Sequence, residues 1–288
     1  TKYTLSQAYQ VLSPIDVDDY FSNEIDERNI RNEFSFSLID GILAKINLFT
    51  ANEISFLNDL QEIFQNNILS LSKSEYQKEM ERLAIDLSWK SSQIEGNTYS
   101  LLETERLLKE RETAAGKTRE EATMLLNHKE ALDLLVENAD NLSPLSIAGI
   151  EDIHGMLIKD LGVERNLRKS RVGISGTNYR PLDNPFQIAE ALGKSCDLIN
   201  SRINVFEKAL LALVLISYIQ PFADGNKRTA RIVSNSLLLN ERTCPLSFRT
   251  VDSIEYKKAM LLFYEQNNIS RIKEIFIEQC EFAVKTYF

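Results

Sequence analysis

Histidine is nearly missing from this sequence: His128 and His154 are the only two in 288 residues. Metal chemistry built on histidine clusters is thereby almost excluded. Cysteine is also scarce. Cys196, Cys244 and Cys280 are odd in number, widely spaced and form no CxxC pair, so neither a disulfide framework nor a structural zinc site is expected. Ten Gly and six Pro are too few for an all-β chain rich in tight turns. No apolar run reaches membrane-spanning length, and ALLALVLISYI (209–219) reads as a buried helix. TKYTLSQAYQVLSP carries no basic-then-apolar targeting signal, and the expectation is a cytoplasmic protein. The formal charge of -9 repels duplex DNA and anionic membranes overall, so neither is an expected partner, although a local basic pocket stays open.

Helical periodicity fills most of the rest. Hydrophobic residues at 43% and charged residues at 26% suit a soluble globular chain with room for one large domain or two modest ones. Apolar residues recur at helical spacing over 36–49, 54–71, 73–97, 100–112 and 118–140. Ser100 and Glu103 form a capping-box pair, Gly96-Asn97 ends the third segment, and Asn138 and Asp140 end the fifth. A further helix is expected from Ser143, as cap, with Pro144 in its first position. RKSRVGISGTNYRPLDNP (168–185) instead alternates Val172 and Ile174 before Gly176, which predicts a short strand or hairpin. Helices are expected again at 187–201, 204–219, 228–240, 252–266 and 270–285. The fold class expected is all-α, a helical bundle with one short hairpin. A soft boundary near residue 72 sets an N-terminal helical region, 1–72, apart from 73–288; that region is expected to pack on the remainder or to recognise a partner. Self-association of the chain through helix faces is compatible with this organisation.

QPFADGNKRTAR (220–231) stands between two of these helices with unusual chemistry for a connection. A helix starting near Arg228 leaves its first N–H groups unpaired, and with the helix dipole they make an anion site. Gly225 permits close ligand approach. Arg228 and Arg231, three apart, share a helical face and can grip phosphate oxygens. Asp224 is placed to hold Mg²⁺ bridging phosphates, and Asn226 to bond a substrate or orient the loop. The same residues also read as an ordinary Asp-Gly-Asn turn followed by two surface arginines.

The stretch resembles the motif of the Fic family, His-(Phe/Pro)-Phe-x-(Asp/Glu)-Gly-Asn-Gly-Arg-x-x-Arg. Two other segments are similar to Fic elements: 168–181 resembles the target-binding flap, through Val172, Ile174, Gly176 and Thr177, and SSQIEGN resembles the inhibitory motif (Ser/Thr)-x-x-x-Glu-(Gly/Asn), through Ser91, Glu95 and Gly96. The resemblance runs over roughly 85–245 and places the chain with members carrying an N-terminal inhibitory helix. It implies a Fic-like bundle that transfers AMP from Mg-ATP to a Ser, Thr or Tyr hydroxyl of a target protein. It also implies that Asp224 binds Mg²⁺, that Gly225, Asn226, Lys227 and Arg228 line the nucleotide site, that Arg231 holds the γ-phosphate, and that Glu95 blocks Arg231. Phe222 is expected as a buried anchor, with Thr229 and Ala230 as helix fillers.

Two positions depart from the motif. Gln220 stands where the family has its general-base His, and an amide accepts no proton near neutral pH. General-base catalysis is worth about 10²–10⁴-fold, so transfer is expected to be weak or absent, leaving an inactive nucleotide- or partner-binding domain as the alternative. Lys227 replaces the motif's second Gly. In this the chain resembles the Doc members, which implies phosphate transfer as a further alternative.

Overall fold

Side-chain caps decide where the helices begin. The computed structural model describes residues 6–137 and 144–288. Ser6 caps the short α1 (Gln7–Leu12) and Asp16 caps α2 (Val17–Ser22). Thr50 with Glu53, Ser72 with Glu75, and Ser100 with Glu103 then form three full capping boxes, opening α3 (Ala51–Ser70), α4 (Lys73–Ile94) and α5 (Leu101–Glu110). Each such cap stabilises its helix by about 1 kcal/mol. α6 (Arg119–Glu137) and α7 (Ile147–Leu157) follow. Asn184 caps α8 (Pro185–Ser201), with Pro at its first position. Asn204 caps α9 (Val205–Ile219), Gly225 precedes α10 (Asn226–Asn240), Asp252 caps α11 (Ser253–Gln266), and α12 (Ser270–Tyr287) ends the chain.

α9 is the axis of the bundle because it is apolar on every side. Leu210 through Ile216 have no exposed surface, so the helix needs neighbours all round, and α8, α10 and α11 supply them. α10 lies along α9 and also touches α4, α6 and α7. Leu57, Leu60 and Phe64 of α3 belong to the same apolar cluster as α9 and α12. A small second cluster of Tyr99, Leu107, Ala122 and Leu125 fastens α5 to α6. The all-α expectation holds. No helix among the described residues is long and apolar enough to cross a membrane.

Four local expectations are corrected. The 36–49 stretch is a π-helical turn, Leu38–Ile42, and a 3₁₀ turn, Leu43–Lys45, in place of one α-helix. Side chains from elsewhere take its backbone groups: Arg202 donates to the carbonyls of Leu43 and Ile46, and Glu207 accepts from Leu48 N at 2.6 Å. Pro144 is not helical. α7 starts at Ile147 under a Ser146 cap, because the Asn200 side chain bonds both Leu145 N (2.9 Å) and Leu145 O (2.8 Å) and keeps that residue's backbone groups out of the helix. Ser143, Asn138 and Asp140, expected at helix ends, lie outside the described residues. α10 begins at Asn226, two residues before the expected Arg228.

The fourth correction concerns the hairpin. Residues 168–183 form no ladder with themselves; the chain turns at Ser175-Gly176, and the one bridge in this region joins Arg180 to Glu33 in parallel. The two arms are held apart by the body of the protein. Arg168 donates to the carbonyls of Gln220 (2.6 Å), Ser170 (2.7 Å) and Leu182, while Arg180 N bonds Asn32 O at 2.9 Å and Tyr179 Oη donates to Tyr218 O at 2.9 Å. The flap is therefore an extended loop strapped between the N-terminal segment and the end of α9.

Candidate nucleotide site

α9 stops because Gln220 adopts a left-handed conformation, φ 51°, with its N–H still bonded to Ile216 O. The next aromatic then turns inward. Phe222 is fully buried and stacks on His154, ring centroids 3.6 Å apart and 5° from parallel. Asn226 closes the loop from the other side: its Oδ1 accepts from Phe222 N (2.8 Å), and its Nδ2 donates to Phe222 O (2.8 Å) and to Gln220 Oε1 (3.1 Å). Of the two roles open to Asn226 in the sequence, this one orients the loop.

Gly225 sits just ahead of α10 at φ 79°, and a Cβ there would come within 3.3 Å of the Ile158 side chain. Both facts favour glycine, since a side chain there would be strained in φ and would push against Ile158. No side chain caps α10, so its first amides keep the partial positive charge of a helix start. Together with Asp224, Gln220 and Lys227 they line a cavity of about 530 Å³, closed by Glu95 of α4, by Val172, Ile174 and Gly176 of the flap, and by Tyr256 and Tyr264 of α11. Thr177 is not on this wall. Its hydroxyl accepts from Tyr179 N at 3.1 Å and shapes the turn.

The two arginines are in different situations. Arg228 is buried, donates Nη2 to Asp224 Oδ2 at 2.9 Å, and keeps Nη1 without any partner among the described residues. Arg231 has no exposed surface and no place on the cavity wall. Its Nε donates to Ser91 Oγ (2.8 Å), and its Nη2 to Ser91 O (2.9 Å) and Glu95 Oε1 (2.9 Å). Arg231 Nη1, too, is buried, and the Tyr256 hydroxyl is a further polar neighbour of this guanidinium. Its Cζ stands 5.4 Å from the centroid of the Tyr256 ring. Glu95 terminates α4 and leads into exposed Gly96, whose φ of 99° lets the chain turn away. Burial alone would raise the Glu95 pKa, but the charges of Arg231 and Lys227 outweigh it and hold the carboxyl below its ordinary value. The contact is thus complete above the ordinary glutamate range and is lost only as pH falls through the lowered value.

The side chain of Gln220 is bonded at both ends. Its Nε2 donates to Ser217 O at 2.7 Å while its Oε1 accepts from Asn226. Neither end of the amide is left to take a proton. His154 is no substitute, since its Nδ1 and Nε2 face the carbonyls of Arg165 (2.9 Å) and Asp224 (3.0 Å). Burial keeps this imidazole below the usual histidine value. His128 is sealed with no partner for either ring nitrogen among the described residues, and its burial, with the charges of Arg231 and Arg228, keeps it neutral.

Several of these residues carried no signal in the sequence. Arg168 opens the 168–185 stretch, but its contacts to the Gln220 and Leu182 carbonyls depend on where those residues fold. Tyr256 and Tyr264 reach the cavity from positions two turns apart on α11, indistinguishable in sequence from core aromatics.

Comparison with known proteins fits this geometry. Residues 144–238 match the model of the Fic/DOC family. The chain is 28% identical over 178 residues to the protein adenylyltransferase Fic of Nematostella vectensis, covering 58% of this chain and 40% of that one. It is 27% identical over 175 residues to the protein adenylyltransferase fic-1 of Caenorhabditis elegans, 57% of this chain and 33% of that one. The chain thus spans less than half the length of these curated relatives. Its fold is similar to that of a Fic-1 fragment from C. elegans, with TM-score 0.70 at 21% identity over 82% of this chain and 72% of that one. It is also similar to a Fic domain containing signaling protein from Bacteroides thetaiotaomicron, with TM-score 0.65 at 17% identity over 81% and 96% of the two chains. The likeness to the Fic/DOC family is thus carried in sequence by residues 144–238, and in fold by most of the chain.

Proposed function

We propose that this site binds Mg-ATP for AMP transfer to a protein hydroxyl, is held closed by Glu95, and turns over slowly because Gln220 stands at the position of the base. One observation carries the reading: Glu95 occupies the buried guanidinium of Arg231 beside a cavity floored by an uncapped helix start. The Nη1 of Arg228, on the cavity wall and without a partner among the described residues, fits a polyanion, since a buried donor without an acceptor costs about 1–3 kcal/mol. Among the described residues no group of three or more His, Cys, Asp or Glu stands ready for a metal. Asp224, 66% exposed at the cavity, would hold Mg²⁺ together with phosphates, the usual arrangement for this ion. When bound, the ion neutralises phosphate charge.

The protein's own groups supply the rest. The first amides of α10 and Arg228 hold and polarise the phosphates. The backbone of 171–175 has no backbone partner among the described residues and offers an edge to an extended target chain. The target oxygen attacks the α-phosphorus in line, and the bond to pyrophosphate breaks. The hydroxyl proton leaves to water, because the Gln220 amide is bonded at both ends.

Arg231 is free for a terminal phosphate only when Glu95 withdraws, since one fork serves one anion. Glu95→Gly is therefore expected to tighten Mg-ATP binding about tenfold or more, the order of affinity that one part-buried ion pair represents. Isothermal calorimetry on the two proteins reads this directly. Equal affinities would remove the autoinhibition reading.

The tied amide of Gln220 favours a second reading, in which the domain binds nucleotide and transfers nothing. Both readings require that Mg-ATP raise the melting temperature, because a ligand held only by the folded state stabilises it.

A further inference from the structure

The two carboxylates at the cavity are unequally partnered. Asp224 meets one cation, Arg228. Glu95 meets two: Arg231 at Oε1, 2.9 Å away, and Lys227 at Oε2, 3.4 Å away. Lys227 and Arg231 are one turn apart on α10 and so present their charges side by side. The carboxylate is held across both of its oxygens.

The two cations differ in freedom. Arg231 is buried, and Ser91 holds it through both Nε and Nη2 in addition to its bond to Glu95. Lys227 lines the cavity, is 25% exposed, and has no other ion-pair partner among the described residues. A lysine ammonium on its four-carbon stem can swing between anions a few ångströms apart with no backbone movement, which a packed guanidinium cannot do.

We propose that Lys227 is a positioning residue with two alternative partners: it fastens Glu95 against Arg231 in the closed site and pairs with a nucleotide phosphate once Glu95 is gone. The motif has glycine at this place, so neither role exists in a chain that follows the motif. The proposal rests on the reading of the cavity as an ATP site closed by Glu95. It adds that opening this site requires two ion pairs to separate, and that the second cation then favours the bound nucleotide. In the closed state the local charge is three cations against two carboxylates, Lys227, Arg228 and Arg231 against Asp224 and Glu95. Without Glu95 it is three against one, and the excess positive charge attracts polyphosphate.

A double-mutant cycle tests it. Lys227→Met keeps the stem and the helix propensity of α10 while removing the charge. In the Glu95→Gly background, Mg-ATP binding measured by calorimetry should weaken about three- to tenfold, because a phosphate contact is lost. In the chain as it stands the loss should be about threefold smaller, because the same substitution also removes one of the two contacts that hold Glu95 in the closed site. Lys227→Arg should restore both values, and Lys227→Gln should repeat the effect of Met, with melting curves confirming that each variant is folded. Equal losses in the two backgrounds overturn the proposal, because Lys227 is then a phosphate ligand alone. Unchanged or tighter binding in the Glu95→Gly background overturns it equally, because Lys227 then holds no phosphate. If Glu95→Gly itself leaves ATP affinity unaltered, the reading of the site fails, and the proposal fails with it.

Discussion

Restoring histidine at position 220 in a Glu95→Gly chain is expected to raise transfer from ATP by about 10²–10⁴-fold, the usual yield of a positioned general base. The position suits one. Gln220 lines the cavity at the end of α9, with its backbone fixed by Ile216 O and by the Arg168 guanidinium on its carbonyl. An imidazole held there would stand next to Asn226, whose side-chain amide already reaches the Gln220 side chain. Labelled ATP incorporated into the chain itself or into added protein is the readout. Label in the α-phosphate reports AMP transfer, and label in the γ-phosphate reports the phosphate transfer that the Doc-like Lys227 leaves open. No incorporation from either label, with ATP still bound, would mean that the scaffold binds nucleotide without being organised for transfer, and the second reading would stand.

Glu265→Ala is expected to produce the largest loss of stability. Glu265 is fully buried on α11, where it accepts from Tyr20 Oη at 2.7 Å and pairs with Arg28 at 3.1 Å, itself only 4% exposed. Removing the carboxylate leaves a buried guanidinium without counter-charge, which costs about 3–5 kcal/mol. For a chain of this size the melting temperature should fall by roughly 6–15 °C. Glu265→Gln, which keeps the shape and part of the bonding, should cost less. A loss below about 1 kcal/mol in denaturant unfolding of the Ala variant would show that Arg28 reaches water. The same arginine donates Nη2 to Gly176 O at 2.9 Å, so the flap tip should also exchange its amide hydrogens faster in this variant.

Helix boundaries set by a local side chain were legible in the sequence. The pair Ser100 and Glu103 needed only its own turn to act, and so did the glycine after Glu95. The loop 220–231 was legible for a related reason: its chemistry is concentrated within twelve consecutive residues, and its order matches a known motif. Features that depend on a distant partner were not. Pro144 read as a helix start, yet Asn200 claims the neighbouring backbone from 55 residues away. The alternation of Val172 and Ile174 read as one arm of a hairpin, but Arg168 and Asn32 pull the two arms onto other parts of the chain. Lys227 was visible only as an extra cation. Its pairing with Glu95 depends on how α4 meets α10, and no local rule sets that contact.

The joint between Glu95 and Arg231 has a consequence for how the molecule can be subdivided. The stretch matching the family begins at residue 144, whereas the carboxylate that neutralises its innermost arginine arrives from α4, and the brace on its flap arrives from Arg28. A piece trimmed to residues 144–238 would bring a bare cation into its own interior and release the 168–183 loop at once. Such a piece would be both fragile and open at its cavity, so the smallest portion of this protein worth purifying is much larger than the span that matches the family model.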